Sequence, residues 1–190
     1  MKNIVRMVCL AAAIGVAGCA NFQPFVPDTA QMPAGGLGGG LDPDVTAVNL
    51  AYWAFADSGR TAGRPIEGAR AAASMDYIAG QLYTSPRWSN LDALTKEQLL
   101  QGRVEVRAAL DVAPTATSQQ VVDALTGAGN ALAANDQGAA LQILGRSGVF
   151  TTSPADVLAR LGNLPFMRMA NVSTSKAANE LFQNDSDRSN

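Results

Sequence analysis

Residues 65–84 read PIEGARAAASMDYIAGQLYT. Proline at the head suits the first turn of a helix, where its missing N–H would be unpaired anyway. Ala71, Met75, Ile78 and Leu82 then recur at helical spacing and define one apolar face. Ala69, Ala73, Asp76 and Gly80 form a neighbouring stripe of mostly small residues, which permits close approach by another helix. Ser85-Pro86 stops the run, because a residue before proline is pushed out of the helical region. A helix that opens at Pro65 and stops before Pro86 is therefore expected, with a stripe that another helix can approach closely.

The flanks read the same way. Asp42-Pro43-Asp44 carries an N-cap, a proline at the first helical position and an acid in the first turn. Val45, Val48, Tyr52 and Phe55 follow at helical spacing, and Gly59 ends that helix. Thr95-Lys96-Glu97-Gln98 resembles a capping box. Beyond it Leu99, Val106 and Leu110 form one apolar side, and Leu100, Val104 and Ala108 a second, which suggests a central helix. Thr117 or Ser118 caps a fourth helix with Val121, Val122, Leu125, Ala128 and Leu132. Asp136 caps a short fifth around Leu141 and Leu144. Ser153-Pro154-Ala155-Asp156 starts another with Val157, Leu158 and Leu161. Pro165 opens a last stretch through Phe166, Met169, Ala170, Ala177 and Leu181, which the β-branched Val172-Ser173-Thr174 is expected to interrupt. The fold class is all-α: an irregular single-domain bundle of six or seven short helices over residues 42–183, with a polar, disordered tail at 184–190.

Composition agrees and also excludes. The chain has 190 residues, 47% hydrophobic and 16% charged, with 34 alanines and little β-branched alternation. It has no histidine and two cysteines. The commonest general base and metal ligand are thus absent, and with them a Ser-His-Asp or Cys-His hydrolase and the usual zinc sites. No metal or cofactor is expected. A formal net charge of −2 argues against a nucleic-acid partner, which calls for a basic face.

The amino-terminal stretch carries the most specific signal. Met1 to Arg6 includes Lys2 and Arg6, Met7 to Val16 is apolar or small, and Val16-Ala17-Gly18-Cys19 follows. This order is that of a secretory signal, and the apolar run is shorter than the ~20 residues needed to span a bilayer. Val16-Ala17-Gly18-Cys19 resembles the lipobox of bacterial lipoproteins. The resemblance implies cleavage after residue 18 and acylation of Cys19, with palmitate among the acyl chains. Cys9 then leaves with the signal, and the remaining chain carries 12 basic against 16 acidic residues. Ala20, in place of the aspartate that retains such proteins in the inner membrane, implies the outer membrane, facing the periplasm.

Residues 19–41 then read as the lipidated cysteine and a flexible tether. Pro24, Pro27 and Pro33 precede Gly35-Gly36-Leu37-Gly38-Gly39-Gly40, and no helical or strand period survives. Phe22, Phe25 and Val26 are apolar exceptions, suited to a lipid interface or to packing on the domain.

Chemistry is thinner. Ser173-Thr174-Ser175-Lys176 matches the S-x-x-K of penicillin-binding proteins and serine β-lactamases, but the companion K-T-G is missing and the bland reading is a serine N-cap with a solvent lysine. Glu97 with Glu105, and Asp42 with Asp44, are the acid pairs from which a carboxylate-dependent hydrolase would have to be built. Arg60, Arg64, Arg87 and Trp88 lie in a region rich in arginine and aromatics, suited to a small anion or to peptidoglycan. Ordinary pairing with local acids competes with that, and Arg107 with Asp111 has the right i, i+4 spacing. The leading expectation is a non-enzymatic, lipid-anchored periplasmic protein that docks another envelope protein. The alternative is a peptidoglycan or small-anion module using residues 60–88.

Overall fold

The computed structural model describes residues 27–39, 42–146 and 148–188. The signal at 1–18, Cys19 and the first part of the tether, with Phe22, Phe25 and Val26, lie outside them. Among the described residues the chain forms seven α-helices and no strand, with one isolated antiparallel bridge between Val112 and Phe150.

The helices are α1 (Pro43–Phe55), α2 (Pro65–Thr84), α3 (Ala93–Ala109), α4 (Ser118–Ala133), α5 (Gln137–Leu144), α6 (Pro154–Leu161) and α7 (Arg168–Arg188). Most start where a side chain can satisfy the first free N–H groups. Asp42 accepts from Asp44 N and Val45 N, Asp136 from Ala139 N, and Ser153 from Asp156 N. Thr117 and Gln120 complete a reciprocal capping box on α4. At α3 the expectation shifts: Asp92 is the cap, accepting from Leu94 N and Thr95 N, so the helix begins before the Thr95 motif.

α2 is the central helix. Its residues 71–80 are all buried, together with Gly68, Ala69 and Leu82. α1, α3 and α4 pack against it, and α6 crosses near its start. Side-chain pairs fix the directions. Asp44 of α1 meets Tyr77 and Arg107 of α3 meets Asp76 near the C-terminal half of α2, while Gly129 late in α4 faces Ala69. All three neighbours thus run antiparallel to α2.

The small-residue stripe sets how close these segments come. A Cβ added at Gly68 would lie 1.9 Å from the carbonyl oxygen of Leu161, so α6 ends directly on the α2 backbone. A Cβ at Gly102 would lie 2.5 Å from Met75 Cε and 3.0 Å from Ser173 Oγ, so α3 fits between α2 and α7 only as glycine.

α3 is not the two-sided core helix its pattern suggested. Leu99, Val106 and Leu110 are buried against α2 and α7, but Val104 is 66% exposed and Ala108 is also on the surface. Tyr52 of α1 is exposed as well; the buried face there is Ala47, Val48, Ala51, Ala54 and Phe55. α7 is continuous through Val172-Ser173-Thr174, and it reaches Arg188, through most of the stretch expected as a tail. The hydroxyls of Ser173 and Thr174 donate back to the Ala170 carbonyl, which lets them sit buried inside the helix.

The stretch read as tether also contributes to the domain. Residues 27–39 lie along α2 and α4, with Ala30 and Leu37 buried in the common core. A Cβ at Gly80 would come 2.4 Å from the Asp28 carbonyl oxygen. The small stripe on α2 therefore admits this extended strap at Gly80, where a helix was expected. Residues 42–183 do not hold all of the folded unit.

Candidate functional site

Polar side chains gather in three places. The first is the start of α1. Asp44 is buried, and its carboxylate accepts from Tyr77 OH at 2.5 Å and from Trp88 Nε1 at 2.8 Å. Arg87 pairs closely with Asp42, reaches Asp44 at 3.5 Å, and lies 4.4 Å above the Trp88 ring. Ser85-Pro86 ends α2 and begins the short 3₁₀ turn Pro86–Trp88, which carries Arg87 and Trp88 back over α1. The hydrogen bond from Arg87 holds the Asp42 carboxyl below the usual carboxylate range. Burial, and the bond donated to Asp44, push the Tyr77 phenol well above the usual tyrosine range. Both carboxylates are occupied by donors of the fold, and Arg87 and Trp88 act on each other and on them.

The second place is the network between α2, α3, α4 and the strap. Arg107 holds Asp76 with two bonds and also donates to the Ala116 carbonyl and Ser118 Oγ. Arg103 donates to the Asp28 carbonyl at 2.8 Å and to Ser118 Oγ at 3.1 Å. The Asp28 carboxylate accepts from Ser118 N, at the first position of α4. Burial lowers the Arg103 pKa below the ordinary arginine value. Arg107 does not pair with Asp111. The helix ends at Ala109, Asp111 has a φ of 52°, and its carboxylate meets Arg160 at 2.8 Å.

The third place lies where α1 ends and α2 begins. Arg60 donates to the Trp53 carbonyl at 2.7 Å and sits 5.8 Å from the centre of its ring. Arg64 stands at the N-cap position of α2 and is exposed, with no side-chain bond to the helix. It lines an open groove of about 590 Å³ with Leu50, Trp53 and Glu67. With Glu67 it also lines a second groove of about 340 Å³, bounded by Pro65, Ile66 and Leu132. Arg64 makes no ion pair or hydrogen bond through its guanidinium among the described residues.

The four expected ligand residues are thus split. Arg60 and Arg64 share one end of the bundle. Arg87 and Trp88 share the other, separated by the length of α1, about 20 Å for its 13 residues. Of the expected acid pairs, Asp42 and Asp44 stay together on Arg87, whereas Glu97 and Glu105 have different partners. Glu97 accepts from Tyr83 OH at 3.1 Å, while Glu105 accepts from Met169 N and Ala170 N at the start of α7. Ser173 of the S-x-x-K match is buried inside α7. Among the described residues no group of three or more His, Cys, Asp or Glu could hold a metal ion, and no helix is long and apolar enough to cross a membrane.

Sequence reasoning placed Asp76 in the small stripe and Asp44 in a helix start and an acid pair, and missed the bond from Tyr77 to Asp44 and the contact of Asp28 with Ser118. Gly80 in the small stripe was the one available signal for the strap. No protein-family profile, curated protein or solved structure matches this chain.

Proposed function

We propose that this chain is a lipid-anchored protein of the bacterial envelope. It is held to the outer membrane through Cys19, faces the periplasm and acts without catalysis by docking another envelope protein. The observation that carries this reading is the order of a basic leader, a short apolar run and Val16-Ala17-Gly18-Cys19. Two or more acyl chains would give stable attachment where a single chain would not. The domain suits a docking role because its buried ionic groups serve the fold: Asp44 and Asp76 each face partners from another segment. Metabolic labelling with an alkyne fatty acid tests the anchor. Label is expected on the wild type and absent from Cys19→Ser, and an unlabelled wild type sinks the reading. Crosslinking in membranes followed by capture tests the docking role, through recovery of one reproducible envelope protein.

A second reading is favoured by Arg64. A guanidinium with no partner among the described residues, in a groove lined also by Trp53, suits a carboxylate or phosphate of a small ligand or of peptidoglycan. Sedimentation with purified cell-wall sacculi tests it. Binding lost on Arg64→Ala and kept on Arg87→Ala would select this end of the bundle, and no binding by the wild type would remove peptidoglycan.

A further inference from the structure

We propose that residues 27–39 are a releasable strap that sets how far the domain stands from the point where the chain is held. The strap is fastened mostly through polar contacts. Asp28 accepts from Arg103 at its carbonyl and from Ser118 N at its carboxylate, and Gln31 exchanges two hydrogen bonds with Gln119. Its buried apolar side chains are few: Pro27, Ala30 and Leu37, with Met32 partly buried. Its internal backbone bonds are two turns, Gly36 N to Pro33 O and Gly38 N to Gly35 O. A segment with few buried apolar contacts opens at lower cost than the helices beneath it.

Docking changes the reach of the chain. Pro27 lies eight positions after Cys19, whereas Asp42 lies 23 positions after it. Fully extended, these spans are at most about 30 Å and about 80 Å. With the strap docked, the domain is confined to the shorter distance, and the chain enters it at the end that carries the start of α1. The grooves at Arg64 then lie at the opposite end. With the strap released, the longer distance opens. The application to a bilayer rests on the lipid-anchor reading, but docking and release belong to the domain alone.

Gly80 provides the test, because the three nearest atoms to an added Cβ all belong to Asp28 and Thr29 of the strap. Gly80→Ala therefore removes the strap's seat and leaves α2 a better helix former. The experiment uses the full chain in detergent with Cys9→Ser and Cys19→Ser, so its result does not depend on lipidation. Spin labels on Ala34→Cys in the strap and Ala159→Cys on α6, both exposed positions, report the distance between them. Amide exchange by NMR at Gln31, Gly36 and Gly38 reports strap opening.

One narrow distance is expected with Gly80. A broad distribution, with strap amides exchanging at least tenfold faster, is expected with Gly80→Ala, while the amides of α2 and α3 keep their protection. The double variant Asp28→Ala with Gln119→Ala, which leaves Gly80 in place, should move both readouts in the same direction. A narrow distance that survives in both variants overturns the proposal. So does loss of protection in the strap and the helices together in both variants, since the strap would then be part of one cooperative core. A broad distance with Gly80 in place overturns it as well.

Discussion

Arg107 grips Asp76 across the α2–α3 interface, Nε to Oδ2 at 2.7 Å and Nη2 to Oδ1 at 2.8 Å. The carboxylate side chain is 3% exposed and the arginine 20%, so the pair is largely withdrawn from water. Removing one member of such a pair strands the other, at a cost of about 3–5 kcal/mol. Asp76→Ala is expected to lower the free energy of unfolding in urea by about 3 kcal/mol. The combined variant Asp76→Leu with Arg107→Met should lose less than the two single losses added together. Strict additivity in that cycle would show that the two side chains do not stabilise each other.

Gly68 is held against the end of α6. A methyl group there would meet the Leu161 carbonyl oxygen, which is backbone and cannot rotate away. Gly68→Ala gains helix propensity of about 1 kcal/mol, but overpacking of this kind costs about 1–3 kcal/mol and more where backbone is struck. Net destabilisation by about 2 kcal/mol is expected in the same urea measurement. A stabilised variant would mean that α6 does not rest on α2.

The cluster at the start of α1 sets a dependence on pH at both ends of the scale. Asp42 is held below the usual carboxylate range, first by the hydrogen bond from Arg87. Its contribution is present above about pH 4 and is lost as pH falls through the lowered folded value. Arg87→Leu should flatten that acid-side loss. Tyr77 is shifted the other way, first by burial and then by Asp44. Its phenol stays protonated in the folded chain, so stability is full below about pH 10 and declines as pH rises beyond it. Tyr77→Phe should blunt this alkaline decline. Absorbance at 295 nm checks the tyrosine directly: one of the chain's three tyrosines should ionise only as the fold opens.

Glu105 caps α7 from another helix, accepting from Met169 N at 2.8 Å and Ala170 N at 3.0 Å. The carboxylate also complements the positive end of the α7 dipole. Glu105→Ala is expected to cost about 1–2 kcal/mol, and Glu105→Gln about half of that, because the amide oxygen still accepts. Faster amide exchange in the first turn of α7, with α3 unchanged, would distinguish loss of the cap from general unfolding.

How much was legible follows from the range of each interaction. The caps at Asp42, Asp136 and Ser153 act on N–H groups two or three residues away and are legible locally, while at α4 the sequence offers Thr117 or Ser118 and the structure uses Thr117. The α3 start was misread because Asp92 and Thr95 are both capping residues. Thr95 instead gives its hydroxyl to Glu180, 85 positions distant. Val104 and Leu99 carry the same apolar signal, yet only Leu99 is buried. The deciding fact is where α2 and α7 lie, which no local pattern contains.

The sequence by itself determined that this chain folds as helices, where most of them begin, and that its 190 residues offer no histidine. These follow from propensity, capping and composition, which act within a few residues or on the whole chain at once. Tertiary structure alone decided that α2 is central and that Arg107 meets Asp76 in place of Asp111. It also decided that Arg60 and Arg64 part from Arg87 and Trp88, and that residues 27–39 fasten at Gly80. Each of these is a contact between distant positions, selected by which buried groups find partners when the helices close on one another.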